Sequence, residues 1–366
     1  MQSFELLEQF GHEQVIYCSN KESGLKAIIA IHDTTLGPAI GGTRMWSYSS
    51  YDAALKDVLR LSRGMTYKAS VAGLNLGGGN AVIIKDKDTV KSEQLFRTFG
   101  KFVDGLAGRY ITAEDVGTTV RDMEYVRMET EYVTGISKAL GGSGDPSPVT
   151  AYGVYIGMKA CAQARWGSDS LRGRKIAIQG AGQLARYLCE HLYNEGAEIY
   201  ITDIDEEKVK RVLETVKAFV VKPEEIYEQE VDIFSPCALG GIINDDTIPE
   251  LKCEIIAGGA NNQLEAEATH GKQLLEKGIL YAPDYVINAG GLINVANEIE
   301  GYRQDRAMKQ AESIYDIVKR IIAISEKENI PTYFASNRMA EERLASIGGI
   351  TKIYSGAKKI SGLNRR

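Results

Sequence analysis

The chain has 366 residues, a formal net charge of −6 and 44% hydrophobic residues, which is the balance of a folded globular protein rather than a disordered one. The acidic excess predicts no nucleic-acid partner, because a phosphate backbone requires a basic surface. No apolar run reaches the roughly 18 residues of a membrane-spanning helix, and the N-terminal stretch MQSFELLEQFGHEQ lacks the basic start and apolar core of a secretory signal, so we expect a cytoplasmic protein with no membrane partner.

The first part of the chain predicts alternating strands and helices. The segments with the apolar spacing of regular elements are strands over residues 15–18, 25–31, 81–84 and 110–112 and helices over residues 51–63 and 93–106. Ser49 or Ser50 is the predicted N-cap of the first helix, because a serine side chain can accept a hydrogen bond from the helix start.

A glycine-rich segment precedes the strand over residues 81–84. It runs from Met65 to Asn80 with the sequence MTYKASVAGLNLGGGN. We interpret its last four residues, Gly77–Asn80, as a turn. Consecutive glycines cost backbone entropy wherever they are ordered. A turn of this composition therefore indicates that a ligand or another part of the backbone lies very close.

The first part of the chain ends in a segment with the composition of a linker, residues 141–148, GGSGDPSP. A helix over Val149–Arg165 is predicted to follow, with Asp145 or Ser147 as its cap and Pro148 in its first turn. We therefore predict a first domain over residues 1–148 and a second over residues 149–330. Helices over residues 331–366 are predicted to return to the first domain.

Lys175–Asp203, KIAIQGAGQLARYLCEHLYNEGAEIYITD, has the signature of a dinucleotide-binding unit: strand, glycine turn, helix and strand. The turn residues predicted to bind the cofactor are Gly180, Ala181, Gly182, Gln183, Leu184 and Ala185. The glycines permit a tight turn close to the pyrophosphate, the small Ala185 lets helix and strand pack, and helix-start N–H groups face the negative charge. Asp203 is expected to hold the adenosine ribose hydroxyls and to repel a 2′-phosphate, which favours NAD over NADP. A plain βαβ turn is the alternative.

The chain beyond this unit predicts the rest of an open parallel sheet. Apolar runs indicate strands over residues 219–221, 231–234, 255–257 and 280–281, with helices between them and a mostly helical part from residue 290 onwards. The predicted fold class is α/β, with an N-terminal α/β substrate domain, a Rossmann-type doubly wound dinucleotide-binding domain and C-terminal helices.

The residues that could carry chemistry lie mainly in the first part of the chain. The five cysteines and four histidines are scattered, which predicts reduced thiols and no metal site. Lys68 is a candidate holder of a substrate carboxylate, and Asp115, just after a strand, is a candidate proton carrier. A solvated surface role is the alternative for each of them.

Longer motifs cover nearly the whole chain. They are MTYKASVAGLNLGGG, GRYITAEDVGT, SPVTAYGVY, IFSPCALGG, AGGANNQL and YAPDYVINAGG. In composition and order they resemble the amino-acid dehydrogenases of the glutamate dehydrogenase superfamily that act on leucine, valine and phenylalanine, most closely those that act on leucine. The resemblance implies an enzyme that uses NAD to deaminate an L-amino acid reversibly to the 2-oxo acid and ammonia, and that forms a homo-oligomer.

The resemblance also implies roles for individual residues. Lys68 would bind the substrate α-carboxylate with Asn288 nearby, and Asp115 would move protons to and from the amino group. The residues implied around the nicotinamide are Thr150, Cys237, Ala238, Ala260 and Asn261, with Asn262 on the substrate side. The residues implied around the substrate side chain are Ile40, Gly41, Gly42, Met65, Ala113, Leu292 and Val295. None of this last set is charged, which suits an aliphatic or aromatic substrate rather than glutamate.

Asn80 departs from the resemblance, because the family has a lysine after its glycine turn that shares catalysis with the aspartate. A lysine amine can exchange protons with the water that attacks the imine, whereas an asparagine amide can only hydrogen-bond the same oxygen. Loss of such a group typically costs about 10²–10⁴ in rate. Three interpretations stay open: a slowed dehydrogenase, a binding or regulatory protein that retains the cofactor site, and a related NAD reaction such as imine reduction without hydrolysis.

Overall fold

The computed structural model describes residues 3–87 and 89–350, which divide into two compact units. Unit 1 contains the described residues up to Asp145, Val295–Arg303 and those from Ala340 onwards. Unit 2 contains Pro146–Asn294 and Gln304–Met339. Within the described part of the chain, none of the helices combines the length and the apolar character that crossing a membrane requires.

Unit 1 is built on a five-stranded mixed sheet with the strand order β1-β2-β4-β3-β5. Its elements are α1 (Ser3–Phe10), β1 (Gln14–Asn20), β2 (Leu25–Asp33), β3 (Ala39–Trp46), α2 (Tyr51–Val71), β4 (Gly77–Ile84), α3 (Glu93–Asp104), β5 (Tyr110–Glu114) and α4 (Val120–Arg127). The strand pairs β1–β2 and β2–β4 are antiparallel, and β3 pairs in parallel with both β4 and β5.

Apolar side chains cover both faces of this sheet. On one face, Val58 and Leu59 of α2 form a core cluster with Ile28, Ala30 and Val82. On the other face, the side chains of α3 and α4 form a second cluster with the alternate strand residues. Because both faces are buried, the strands read as nearly continuous apolar runs in the sequence.

The glycine-rich segment differs from its prediction. Helix α2 continues to Val71 instead of ending at Arg63, and Gly77–Asn80 is the first half of strand β4 rather than a turn. A Cβ atom on Gly78 would lie 2.1 Å from the backbone nitrogen of Thr66, and one on Gly77 would lie 2.0 Å from the carbonyl oxygen of Asp33. The glycines therefore make room for the protein's own helix and for a neighbouring backbone segment.

Unit 2 is built on a six-stranded parallel sheet with the strand order β11-β10-β9-β6-β7-β8. The remaining elements of the chain are α5 (Ser147–Trp166), β6 (Lys175–Gln179), α6 (Gln183–Glu195), β7 (Glu198–Thr202), α7 (Glu206–Leu213), β8 (Phe219–Val220), β9 (Ile233–Pro236), β10 (Ile255–Ile256), α8 (Glu267–Glu276), β11 (Leu280–Tyr281), α9 (Asp284–Ile287), α10 (Gly290–Ala296), α11 (Gln304–Ala311), α12 (Ser313–Glu328) and α13 (Thr332–Ile350). Ala177, Phe234 and Ile256 of the sheet form a core cluster with Leu274 of α8. The predicted α/β fold with a Rossmann-type sheet is confirmed.

The two units divide the chain at positions other than the predicted boundaries. The first division falls at Asp145, because residues 147 and 148 already belong to α5. Val295–Arg303 belongs to unit 1 rather than to the second domain, since Glu298 accepts hydrogen bonds from the backbone nitrogens of Gly135 and Ser143. The return to unit 1 begins at Ala340 rather than at residue 331, and the predicted C-terminal residues 351–366 lie outside the described residues.

Candidate active site

The glycine turn of unit 2 is hydrogen-bonded to Asp203, the acidic residue that follows strand β7. Gly180 has a φ of +105°, and a Cβ atom there would lie 2.9 Å from the Cβ of Ala238, so glycine is required. The Ala181 N–H donates to Oδ2 of Asp203 at 2.7 Å, and the Asp205 N–H donates to Oδ1 at 2.9 Å. The structure thus brings the predicted turn and the predicted acid together.

The start of helix α6 leaves space on the outside of this turn. Gly182 is the N-cap residue of α6, and a Cβ atom placed on it would have no atom of the described residues within 4 Å. Gln183 is exposed and Leu184 half-buried, while Ala185 is fully buried under the helix. A helix N-terminus with unobstructed N–H groups attracts a phosphate group, so this turn fits the pyrophosphate of a dinucleotide.

The loops after β9 and β10 contain four of the five residues implied around the nicotinamide, and the fifth, Thr150, lies in α5. Asn288, at the end of α9, donates from Nδ2 to Oδ1 of Asn261 at 2.7 Å and to the Gly259 carbonyl at 3.3 Å. Its own Oδ1 is buried and accepts no hydrogen bond from any described residue. Asn262 has the left-handed φ of +52°. The remaining predicted members are Cys237 and Ala238 after β9, Ala260 after β10, and Thr150, whose hydroxyl donates to the Pro146 carbonyl at 2.9 Å.

Two buried residues that the sequence interpretation missed hold this loop in shape. Gln263 donates from Nε2 to the carbonyls of Gly258 and Ala260 at 2.7 and 3.0 Å. The Gln263 N–H donates in turn to Oδ2 of Asp284 at 2.9 Å. Gln263 lies within the motif AGGANNQL, so the motif contained the signal although the residue's role was not recognised.

Unit 1 brings several of the predicted substrate residues together at the carboxyl end of β5. In the parallel pairing of β3 and β5, Gly42 lies opposite Ala113, and Asp115 is the first residue after β5. A Cβ atom on Gly42 would lie 2.6 Å from the Cβ of Asp115. A Cβ atom on Gly41 would lie 2.9 Å from Oδ1 of Asn80. Gly41 therefore lets Asn80 and the Gly79 carbonyl oxygen, which is 1.7 Å from the same Cβ position, approach β3 closely, and Gly42 does the same for Asp115.

Asn80 is almost completely buried, with 2% of its surface exposed. It stands in β4 opposite Ala30 of β2. Its Nδ2 group is buried and has no acceptor among the described residues. A buried donor without a partner costs free energy and is typical of groups that bind a ligand or an ordered water. Asn80 is therefore suited to donate a hydrogen bond to a bound oxygen atom.

Asp115 is held in place by its own loop and faces a cation. Its Oδ1 accepts from the Val116 N–H at 2.7 Å, and its Oδ2 lies 3.6 Å from Nε of Arg44. Arg44 also forms an ion pair with Asp57 at 3.2 Å, and the Tyr48 hydroxyl donates to that carboxylate at 2.6 Å. Burial and the Asp57 carboxylate raise the pKa of Tyr48 above its ordinary value. Arg44 was missed by the sequence interpretation, because its motif position carries no local sign of a partner at residue 115.

Lys68 and Met65 lie one turn apart on α2, the helix that packs against β4, and both are half-buried. Ile40 is a fully buried residue of β3. Leu292 is buried and Val295 half-buried on α10, where Leu292 belongs to unit 2 and Val295 to unit 1. Every predicted substrate residue is thus located, although their common pocket stays a prediction.

Glu114 is a further carboxyl group that the sequence interpretation did not assign to the site. Burial raises its pKa above the ordinary value, and repulsion from Asp145, Glu298 and Asp115 acts in the same direction. Burial also raises the pKa of Glu298. In the described part of the chain, no group of three or more His, Cys, Asp or Glu side chains is arranged to hold a metal ion.

The comparisons with known proteins cover both units. The family model "Glu/Leu/Phe/Val dehydrogenase, dimerisation domain" matches residues 12–132, and the model "Glutamate/Leucine/Phenylalanine/Valine dehydrogenase" matches residues 141–207 and 200–347. The chain is 60% identical to leucine dehydrogenase of Geobacillus stearothermophilus over 347 residues, which cover 95% of this chain and 94% of that protein. It is 51% identical to L-tryptophan dehydrogenase of Nostoc punctiforme over 341 residues, 93% of this chain and 96% of that protein.

Solved structures show the same fold. The crystal structure of L-tryptophan dehydrogenase from Nostoc punctiforme superposes with a TM-score of 0.85 at 49% identity, covering 94% of this chain and 99% of that one. A hetero-hexameric glutamate dehydrogenase from Thermus thermophilus superposes with a TM-score of 0.77 at 22% identity, covering 96% of each chain.

Proposed function

Because this chain belongs to the Glu/Leu/Phe/Val dehydrogenase family, we propose that it catalyses the NAD-dependent oxidative deamination of a branched-chain or aromatic L-amino acid, reversibly and at a rate limited by Asn80. The observation that carries the proposal is that two adjacent glycines of β3 let the candidate catalytic side chains approach the same strand: Asn80 Oδ1 lies 2.9 Å from the Cβ position of Gly41, and Asp115 Cβ lies 2.6 Å from that of Gly42. The family's named relatives are dehydrogenases of leucine, tryptophan and phenylalanine.

The glycine turn of unit 2 supports NAD as the cofactor. The open side of Gly182 and the start of α6 suit the pyrophosphate, and the Asp203 carboxylate suits the ribose hydroxyls while repelling a 2′-phosphate. NAD supplies the hydride acceptor for deamination and, in its reduced form, the hydride donor for the reverse reaction.

The chain's own groups have three tasks toward the substrate. The Lys68 ammonium neutralises and orients the α-carboxylate. The Asp115 carboxylate takes a proton from the substrate amino group. Asn80 donates from Nδ2 to the oxygen that is added to the α-carbon. That amide stabilises charge on the oxygen, but it carries no exchangeable proton for general acid or base catalysis.

The uncharged set Ile40, Gly41, Gly42, Met65, Ala113, Leu292 and Val295 supports an apolar substrate side chain. Leucine, valine, isoleucine and phenylalanine are therefore the proposed substrates, and glutamate is not. Calorimetry should show binding of leucine or its 2-oxo acid. Binding of glutamate as tightly as leucine would contradict the proposed substrate class.

A second function is favoured by the buried amide of Asn80, which can bind but not relay protons. The chain would then be an NAD- and amino-acid-binding protein with little turnover. The absorbance of the reduced nicotinamide, measured with leucine, phenylalanine and NAD, distinguishes the two functions when NAD binding is measured in parallel. Slow but saturable formation of reduced cofactor supports the dehydrogenase, and binding without it supports the second function.

We also propose a homo-oligomer. The model that matches residues 12–132 is described as a dimerisation domain, and a solved structure with this fold is a hetero-hexamer. Light scattering of the purified protein tests this proposal, and a monomer at micromolar concentration would contradict it.

A further inference from the structure

The end of helix α2 has a defined capping motif. Gly73 takes the left-handed φ of +74°, its N–H donates to the Ser70 carbonyl at 3.1 Å, and the Leu74 N–H donates to the Ala69 carbonyl at 3.0 Å. These are the two hydrogen bonds of a Schellman motif. The negative end of the helix dipole lies at this turn, and the Ser70 carbonyl, which already accepts from the Gly73 N–H, has a second lone pair for another donor.

Arg343 of α13 covers this helix end with its guanidinium group. One terminal nitrogen donates to the carbonyls of Ser70 and Leu74 at 3.0 and 2.8 Å. The other donates to the Gly73 carbonyl at 3.3 Å and to Oδ1 of Asn75 at 3.0 Å. All four acceptors are neutral, and burial lowers the pKa of Arg343 from its ordinary value. The cation is therefore held by oxygen atoms of a single turn.

Two further contacts join α13 to the same helix. The Ser70 hydroxyl donates to the Ala340 carbonyl at 2.9 Å, and the Tyr67 hydroxyl donates to Oε1 of Glu341 at 2.7 Å. Tyr67 and Ser70 flank Lys68 in the last turns of α2. After the covered turn, the chain enters β4 at Gly77 and reaches Asn80 three residues later.

We propose that Arg343 is a positioning residue for substrate recognition: by holding the turn at residues 70–75 it fixes the last turn of α2 and, through it, the ammonium group of Lys68. This inference rests on the proposed function, in which Lys68 binds the α-carboxylate. An arginine suits the task because its planar guanidinium offers several donors in fixed directions, whereas a lysine offers one compact cation on a flexible stem.

The expected effect of weakening this contact is on substrate affinity. A misplacement of a binding group by about 1 Å can cost up to about 100-fold. In Arg343→Gln we therefore expect the KM for leucine to rise about tenfold or more, with kcat within about threefold of the parent. NAD affinity should stay unchanged, because the cofactor residues belong to unit 2.

The matched control is Arg338→Gln, the same change on the same helix at a residue that pairs with Glu328 instead of the α2 turn. It should leave the KM for leucine unchanged. Arg343→Lys retains the charge but not the planar group, and we expect an intermediate KM. If Arg343→Gln does not fold, Arg343→Lys and its KM decide the question.

A double-mutant cycle with Lys68→Met separates positioning from general loosening. If Arg343 acts through Lys68, Arg343→Gln should weaken leucine binding by less than about twofold in the Lys68→Met background, where the group it positions is gone. An equal loss in both backgrounds would overturn the inference. If Lys68→Met lowers leucine affinity and Arg343→Gln does not, the inference fails while the proposed function stands. If Lys68→Met has no effect, the carboxylate role of Lys68 fails, and the inference with it.

Discussion

The two units build their candidate sites in different ways. In unit 2, the glycine turn and Asp203 belong to one continuous strand–helix–strand segment, and a hydrogen bond from Ala181 joins its ends. In unit 1, Gly41 lies in β3, Asn80 in β4 and Asp115 directly after β5, and the order of these three strands in the sheet differs from their order in the chain. The glycines also differ in their surroundings. The Cβ position of Gly182 has no atom of the described residues within 4 Å, whereas the Cβ position of Gly78 is occupied by the backbone of α2. The proposed cofactor site is thus built from one contiguous segment, and the proposed substrate site from non-local strand pairing.

The largest expected effect tests the chemistry of unit 1. Asn80→Lys should raise the deamination rate by about 10²–10⁴, because it supplies a positioned group that exchanges protons. The KM for the amino acid should change much less, since the gain is made in the transition state. The control is Asn80→Met, whose side chain is similar in length to that of lysine but has no donor. Its deamination rate should not exceed that of the parent. An Asn80→Lys protein that folds, binds NAD and stays as slow would rule out a dehydrogenase limited by this residue.

The next effect tests the acid of unit 2. Asp203→Asn retains an oxygen that can accept from the Ala181 N–H but removes the charge. We expect NAD to bind about 10- to 100-fold more weakly, since hydrogen bonds to a charged group are worth about 1.5–3 kcal/mol. The affinity for NADP should rise relative to the affinity for NAD, because the repulsion between the Asp203 carboxylate and the 2′-phosphate is lost. Calorimetry with both cofactors measures the change. Equal affinity of the unmodified protein for NAD and NADP would contradict the role of Asp203.

A glycine-to-alanine pair compares the two units directly. Gly78→Ala should lower the free energy of unfolding by about 1–3 kcal/mol through overpacking against Thr66. Gly182→Ala should change the free energy of unfolding by no more than about 1 kcal/mol, the usual scale of an N-cap change, and should mainly weaken NAD binding. Urea unfolding and NAD calorimetry of both variants give the four values. Loss of stability in Gly182→Ala without loss of NAD affinity would refute the distinction.

The smallest effect concerns pH. Burial is the main cause that lowers the pKa of His12 from 6.5 to about 4, and the His12 ring forms a 2.7 Å hydrogen bond with the hydroxyl of Ser62 on α2. Between pH 6.5 and 4 the unfolded chain binds a proton at His12 more readily than the folded chain does. The contribution of neutral His12 to the free energy of unfolding is therefore fully present above pH 6.5 and is lost as the pH falls toward 4. One such proton gives a slope of at most about 1.4 kcal/mol per pH unit.

His12→Gln removes this titration. The free energy of unfolding, measured with urea at pH 7.5, 6 and 5, should therefore fall less steeply toward acid pH in this variant than in the parent. His191→Gln is the counterpart in unit 2, where burial also lowers the histidine pKa. An acid limb in His12→Gln as steep as in the parent would show that His12 does not contribute to it.

The sequence predicted the strand–helix–strand segment of unit 2, with its glycine turn and Asp203, in detail. Its signals lie within one stretch of about 30 residues, and each reflects a local requirement: a left-handed glycine, a small residue under the helix and an acid at the end of the next strand. The apolar runs of unit 1 were also recognised, and Ser50 is the N-cap of α2, with its hydroxyl 3.1 Å from the Ala53 nitrogen. The family motifs covered the remaining positions.

The errors lie where distant segments meet. The helix was predicted to end at Arg63, next to Gly64, yet α2 continues to Val71 because it packs on β4 through Thr66 and Gly78. Packing of this kind outweighs the local helix preference of a glycine. Gly77–Asn80 was interpreted as a turn for a similar reason: glycines signal turns locally, and only the adjacent helix and strands make them part of a sheet.

Residue types and short-range spacing were sufficient for the class of fold, the glycine turn of unit 2 and the family motifs, because those depend on contacts close in the chain. The pairing of Gly41 with Asn80, of Gly42 with Asp115 and of Arg44 with Asp115 depends on β3 lying between β4 and β5. Strand order is set by burial of both sheet faces at once, a condition on the whole unit that local spacing does not contain. The contact of Arg343 with the end of α2 is likewise not contained in local spacing, since about 270 residues of the chain separate Arg343 from its hydrogen-bond partners.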